Sequence, residues 1–339
     1  MSTVPPAATD DVEVAITAAP EPARRKEEVA ALVQRHGALA VLVLVVVVSS
    51  FVFPSFGTAD NLSNIVVDQS FIAIVALGMT FVIISGGIDL SVGSVFALGG
   101  VVGAWGSQHG IVVGLGAPLV LCGAIGLLNG LLVARAGMAP FIVTLASLLG
   151  ARGLLLALSD EGETTYKVPP TGLFHQLGAD VLGLNLSVWV ALVLFVVGGL
   201  VLTSTGFGQS VFAVGGSEDA ASLMGLRVTR TKTAVYVLSG LLAGLAGALN
   251  AAWVSSGVTI LGTGMELDVI AAVVIGGTLL VGGAGSVVGT AAGVLLLGVI
   301  QNLINQVGSL GSSVQAVVSG VFLIVVVVLQ TMLSRTRRL

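Results

Sequence analysis

The sequence predicts an all-α integral membrane protein of about ten transmembrane helices with both termini in the cytoplasm. Three observations predict it. Of 339 residues, 55% are hydrophobic and only 9% charged, with a mean hydropathy of +1.09, whereas soluble domains carry charge at about a quarter of their positions. The apolar residues fall in unbroken runs of about 20, the length of a membrane-crossing helix, where barrel strands would alternate over roughly ten residues. The basic residues then sort onto one side of those runs, as the positive-inside rule requires.

In chain order, residues 1–36 are rich in Ala, Pro and Glu without apolar periodicity and read as a disordered cytoplasmic tail. The acids ahead of the first apolar run argue against a cleaved secretory signal, so that run is expected to stay as a span. Candidate spans follow at 38–56, 65–85, 92–107, 111–133, 139–158, 184–204, 233–253, 266–282, 287–306 and 313–333. Together they make a transmembrane domain over 37–334, with a long cytoplasmic loop at 205–232 and a basic cytoplasmic end at 335–339. Counted this way, Arg24, Arg25, Lys26, Arg35, Arg135, Arg227, Arg230, Lys232, Arg335, Arg337 and Arg338 share one side, and Lys167 lies on the other. A missed or invented span would have scattered them.

The chain has 47 glycines, about twice the usual share. Gly99/Gly103, Gly126/Gly130, Gly240/Gly244 and Gly289/Gly293 are each four apart, so each pair lies on one helix face and lets backbones approach closely. Gly-Gly-x5-Gly-Ser-Val at 86–95 is echoed by Gly-Gly-x7-Gly-Ser-Val at 276–287. The span count places both turns on the same side of the membrane, so they are not an inverted pair.

The sequence holds no enzyme constellation. His36, His109 and His175 are far apart, and Cys122, the sole cysteine, can form neither an internal disulfide nor a cysteine metal site. A nucleotide-binding loop needs Gly followed by Lys, yet Lys26, Lys167 and Lys232 follow Arg, Tyr and Thr. No cofactor is expected on this chain, and without a basic face no nucleic acid. "GGSEDAASLMGLRVTRTK", within 205–232, has acids Glu218 and Asp219 ahead of Ala220-Ala221 and a glycine, Gly225, at its end. That order suits a short capped helix between two spans, readable as a docking element or as a solvated connector.

"NLSNIVVDQSFIAIVALGMTFVIISGGIDLSVGS", "PFIVTLASLLGARG", "GGSEDAASLMG" and "GTGMELDVIAAVVIGGTLLVGGAGSVVGTAAGVLLLGVIQN" together resemble the permease subunits of ribose-type monosaccharide ABC importers, in the same order and over nearly all of the chain after residue 36. The resemblance implies the ABC importer permease fold and a place in the cytoplasmic membrane of a prokaryote. It implies as partners a cytoplasmic ATPase holding ATP and Mg, an extracytoplasmic sugar-binding protein, and a second permease that is either a copy or a homologue. On this resemblance Glu218, Asp219, Ala220, Ala221 and Gly225 form the helix that couples to the ATPase. Asp68, Met265 and the missing glycine in "QNLINQ" depart from the family pattern and leave the sugar open. Permeases for branched-chain amino acids or nucleosides, and an ion-driven secondary transporter, are the alternatives.

Asp89 sits between two apolar runs, where a carboxylate is costly unless sheltered. It is expected either to cap the helix that follows or, with Gly86, Gly87 and Ser91, to act as a gate or substrate contact. A sugar pathway needs neutral polar groups and some aromatic surface, and Phe141, Thr144, Gln301, Asn302 and Asn305 are candidates. Asn and Gln within membranes also bridge helices as packing contacts. Asp68, Arg152, Glu266 and Asp268 fall near the outer face, and Arg152 is expected to pair with one of the three acids.

Overall fold

A computed structural model describes residues 38–306 together with 317, 320, 321 and 324. The expected tail at 1–36, the basic end at 335–339 and nearly all of the candidate span at 313–333 lie outside the described residues.

Helices dominate. The chain enters through α1 (Ala38–Val52) and continues through α2 (Ala59–Ile84), α3 (Val92–Ser107), α4 (Ile111–Ala134) and α5 (Pro140–Leu158). A 3-10 turn (His175–Gly178) and a two-stranded hairpin, β1 (Asp180–Val181) with β2 (Leu184–Asn185), lead into α6 (Leu186–Ser204). Then come α7 (Gly206–Gly216), α8 (Glu218–Leu223), α9 (Val228–Trp253), α10 (Met265–Ile275) and α11 (Val287–Gln306). Six of these helices, α2, α4, α5, α6, α9 and α11, are long and apolar enough to cross a membrane, and α1 and α3 are shorter apolar helices.

The core forms around α9, which packs against α2, α3 and α4. Glycine makes those contacts close. A methyl at Gly99 would stand 2.7 Å from the Gly244 Cα, one at Gly130 would stand 2.8 Å from the Thr233 Cα, and one at Gly247 would run into the Phe96 carbonyl. Outward, α4, α5 and α6 keep large apolar side chains exposed, among them Val120, Leu149 and Val196.

Three expectations need correction. Apolar content predicts one span over 266–282, but α10 stops at Ile275 because Gly277, at φ +90, turns the chain. Before α10, residues 254–264 are not helical and run back along α3, with Gly257 against Val101 and Gly262 against Gly93. The loop at 205–232 contains the expected short capped helix as α8, but most of the rest is helical too, in α7 and the first turn of α9. Finally, α2 and α9 begin at 59 and 228, earlier than an apolar count places them, because their first turns are polar.

Candidate functional site

The opening between α2 and α3 is built by glycine. Helix α2 ends with Gly86 at φ +82. The Gly87 N–H bonds the Val82 carbonyl at 3.0 Å and the Gly86 N–H bonds the Ile83 carbonyl at 2.9 Å, a left-handed helix stop that satisfies otherwise orphaned carbonyls. Gly87 has a different reason to lack a side chain: a methyl there would stand 2.5 Å from the Tyr236 hydroxyl. That hydroxyl donates to the Ile88 carbonyl at 3.2 Å.

Asp89, 1% exposed, lies in this break. Its Oδ1 accepts from the Ser91 backbone N–H at 3.0 Å and the Ser91 hydroxyl at 2.6 Å, and its Oδ2 accepts from the Ser239 hydroxyl of α9 at 2.8 Å. Asn129 of α4 donates to Ser91 Oγ at 3.1 Å and accepts from Ser147 of α5. Thr144 of α5 donates to the Pro140 carbonyl at 2.8 Å and reaches the Ile88 carbonyl at 3.5 Å. A buried carboxylate costs several kcal/mol if left unpaired. Here each oxygen is satisfied, and the network ties α3, α4, α5 and α9 together.

The two glycine turns recognised as an echo meet in space. Gly283 donates its N–H to the Ile84 carbonyl at 2.9 Å, and a methyl at Gly282 would stand 2.9 Å from the Gly86 Cα. The C-terminal glycines of α7 fill the third side, since a methyl at Gly215 would collide with the same Ile84 carbonyl. Their stops differ in register: the first glycine of the pair turns α2, the second turns α10.

Helix α8 follows α7 directly. Ser217 caps it by accepting the Ala220 N–H at 3.3 Å, and Gly225, at φ +80, stops it with the Leu226 N–H on the Ala221 carbonyl at 3.0 Å. Glu218 is bound by Lys232 of α9. Ala221 is buried, whereas Leu223 and Met224 are 90% and 70% exposed. An exposed Leu-Met pair at the end of a short, acid-led helix is apolar surface of the kind that contacts another protein.

The family model described as "Branched-chain amino acid transport system / permease component" matches residues 61–327. The chain belongs to this permease family. The ribose import permease protein RbsC of Escherichia coli (strain K12) is 40% identical over 300 residues, 87% of this permease and 93% of that protein. The L-arabinose ABC transporter permease protein AraH of Azospirillum brasilense is 38% identical over 287 residues, 84% of each chain. The fructose import permease protein FruG of Bifidobacterium longum (strain NCC 2705) is 34% identical, covering 86% of this permease and 89% of that protein. No solved structure gives a significant match.

Within the permease, the residues singled out from sequence do not form one cluster. Gly86, Gly87, Asp89, Ser91 and Thr144 meet at the helix break, as described. Phe141 is exposed at the start of α5. On α11, Asn302 exchanges amide hydrogen bonds with Asn61 at 2.9 and 3.2 Å and accepts from Gln306 at 2.9 Å, which fastens α11 to the first turn of α2. Gln301 bonds Asp268 of α10, and Asn305 is exposed.

Arg152 makes no ion pair within 4.0 Å among the described residues, although Glu266, one of the three expected acids, lies near enough to act on its charge. Its guanidinium donates to the carbonyls of Thr259 at 2.8 Å and Leu261 at 3.1 Å. Those carbonyls belong to the non-helical run before α10 and have no helical partner, so the arginine satisfies irregular backbone. Glu266 lies beside Gly93 and Asp68 is exposed on α2. Among the described residues the ion pair within 4.0 Å is Lys232–Glu218. Sequence reading passed over Ser239, Tyr236, Asn129, Leu223 and Met224, and used Lys232 only to set orientation. The first three look like ordinary polar positions on apolar helices until the fold brings the break against α9, but Leu223-Met224, inside the segment already marked for docking, could have been found.

Proposed function

We propose that the chain is the permease subunit of an ATP-binding cassette importer that moves a monosaccharide across the cytoplasmic membrane of a prokaryote by alternating access. It crosses the membrane about ten times, has both termini in the cytoplasm and works with a second permease, either a copy of itself or a homologue. The single observation that carries the reading is the 40% identity to a ribose import permease over 87% of the chain, with arabinose and fructose permeases also among its relatives. A separate cytoplasmic ATPase, holding ATP and Mg, docks on α8 through Leu223 and Met224, and Glu218 and Asp219 lead that helix. A sugar-binding protein delivers substrate from the outside. The glycine break at Gly86 to Ser91 sits where α2, α3, α4, α5 and α9 converge, and it is the gate region of this reading.

The test is purification of the tagged chain with its co-purifying proteins, followed by uptake in vesicles. The complete assembly concentrates labelled ribose, arabinose or fructose only when ATP is supplied to the ATPase side, and changing Leu223 and Met224 to Asp releases the ATPase. Vesicles of the chain alone that concentrate sugar, or an ATPase that stays bound to the Asp variant, would overturn the proposal. The family description also favours branched-chain amino acids, so uptake of labelled leucine in place of sugar is the outcome that selects that second reading.

A further inference from the structure

One face of α9 touches both the docking helix and the helix break. Residues four and seven apart on a helix lie on the same face. Lys232, Tyr236 and Ser239 have that spacing, across about 10.5 Å of helix. Lys232, 9% exposed, binds Glu218 in the first turn of α8. Tyr236, fully buried, holds the Ile88 carbonyl at 3.2 Å, and Ser239, also fully buried, holds Asp89 at 2.8 Å. Between these contacts the helix is continuous from Val228 to Trp253 and contains no proline.

We infer that the Lys232–Tyr236–Ser239 face of α9 is a rigid link that carries displacement of α8 to the helix break at Ile88 and Asp89, making these three side chains positioning residues for transport. The contacts at each end are directional. A lysine ammonium on a carboxylate and two hydroxyls on a carbonyl and a carboxylate transmit a pull as well as a push, unlike the glycine contacts between Gly215 and Ile84, which resist only compression. When α8 moves with the ATPase, Glu218 draws Lys232, α9 shifts as a body, and Ser239 and Tyr236 move the turn that starts α3. Transport then depends on the two ends being joined, and not on the strength of either one.

This inference rests on the ABC importer reading, so the wild-type assembly importing sugar with ATP is established first. Variants are then judged against that wild type by sugar imported per ATP hydrolysed. Lys232→Met and Ser239→Ala are each expected to lower that ratio about five-fold or more, the lower end of a coupling between distant sites. The ATPase still co-purifies with both, because Leu223 and Met224 are intact. Lys232→Arg keeps the ratio, and Glu218→Lys combined with Lys232→Glu restores it. Links in series fail once, so the double variant Lys232→Met/Ser239→Ala is expected to be no worse than the poorer single variant. A wild-type ratio in the folded single variants, or losses that multiply in the double, overturns the inference. If Lys232→Met does not fold, the charge exchange decides: a folded exchange with an intact ratio supports the link and a folded exchange with a collapsed ratio overturns it.

Discussion

Gly87 shows how one missing methyl fixes a hydrogen bond. Tyr236 is fully buried, so its ring cannot swing aside for a methyl that would stand 2.5 Å from its hydroxyl. Gly87→Ala therefore breaks the bond to the Ile88 carbonyl and leaves donor and acceptor unmet in the interior, at a cost of about 1–3 kcal/mol. The expected outcome is a lower unfolding temperature of the purified protein in mild detergent. Repeating the change in a Tyr236→Phe background tests the cause, since the methyl then fills the space of the absent hydroxyl and the further cost of Gly87→Ala shrinks. An equal cost in both backgrounds would place the strain elsewhere, for instance against Val82, whose Cγ1 lies 3.3 Å from the added carbon. Gly86 obeys another rule, because at φ +82 any side chain is strained whatever the space around it.

At the scale of the element, glycine has two uses on these helices, and substitution separates them. A methyl at Gly247 meets the Phe96 carbonyl, which is backbone and cannot rotate away, whereas a methyl at Gly150 of α5 meets nothing within 4 Å. Gly247→Ala is expected to push α3 from α9 at a cost of about 1–3 kcal/mol and to reduce the folded peak in size-exclusion chromatography. Gly150→Ala is expected to leave stability unchanged or raise it by about 0.5–1 kcal/mol, since alanine loses less backbone freedom in a helix. The same elements mark what was legible from residues. Long spans such as α4 and α6 follow from apolar length, and α8 follows from acids, a short run and a glycine, because those signals are local. The end of α10 was only half legible: the Gly276-Gly277 pair reads as a turn, but the apolar run continues past it to 282, so apolar length alone carries the span too far. Nor could Arg152 be assigned its partners: electrostatics favours an acid, but the fold laid bare carbonyls at 259 and 261, and a carbonyl without a helical partner competes well for an arginine in a dry interior.

For the whole molecule, the orientation proposed from basic residues can be measured because the protein carries a nearly silent background. Cys122 is buried, with its thiol against the Val95 carbonyl at 3.5 Å, so a cysteine placed at an exposed site is the one that reacts. Lys167 is exposed in the segment after α5, where it bridges Ser256, and Ser222 is exposed on α8. Between these two segments the one helix long and apolar enough to cross is α6, whose buried residues are only Ser187, Ala191, Gly198 and Leu202 of its 19, as suits a surface facing lipid. Lys167→Cys is expected to react with a membrane-impermeant maleimide on intact cells, and Ser222→Cys only after permeabilisation. The reversed pattern would invert the proposed orientation and set α8 out of reach of any cytoplasmic ATPase. Labelling of both from one side would mean that α6 does not cross, and the alternation of basic residues would then lose its physical cause, because that alternation requires each intervening apolar run to change sides.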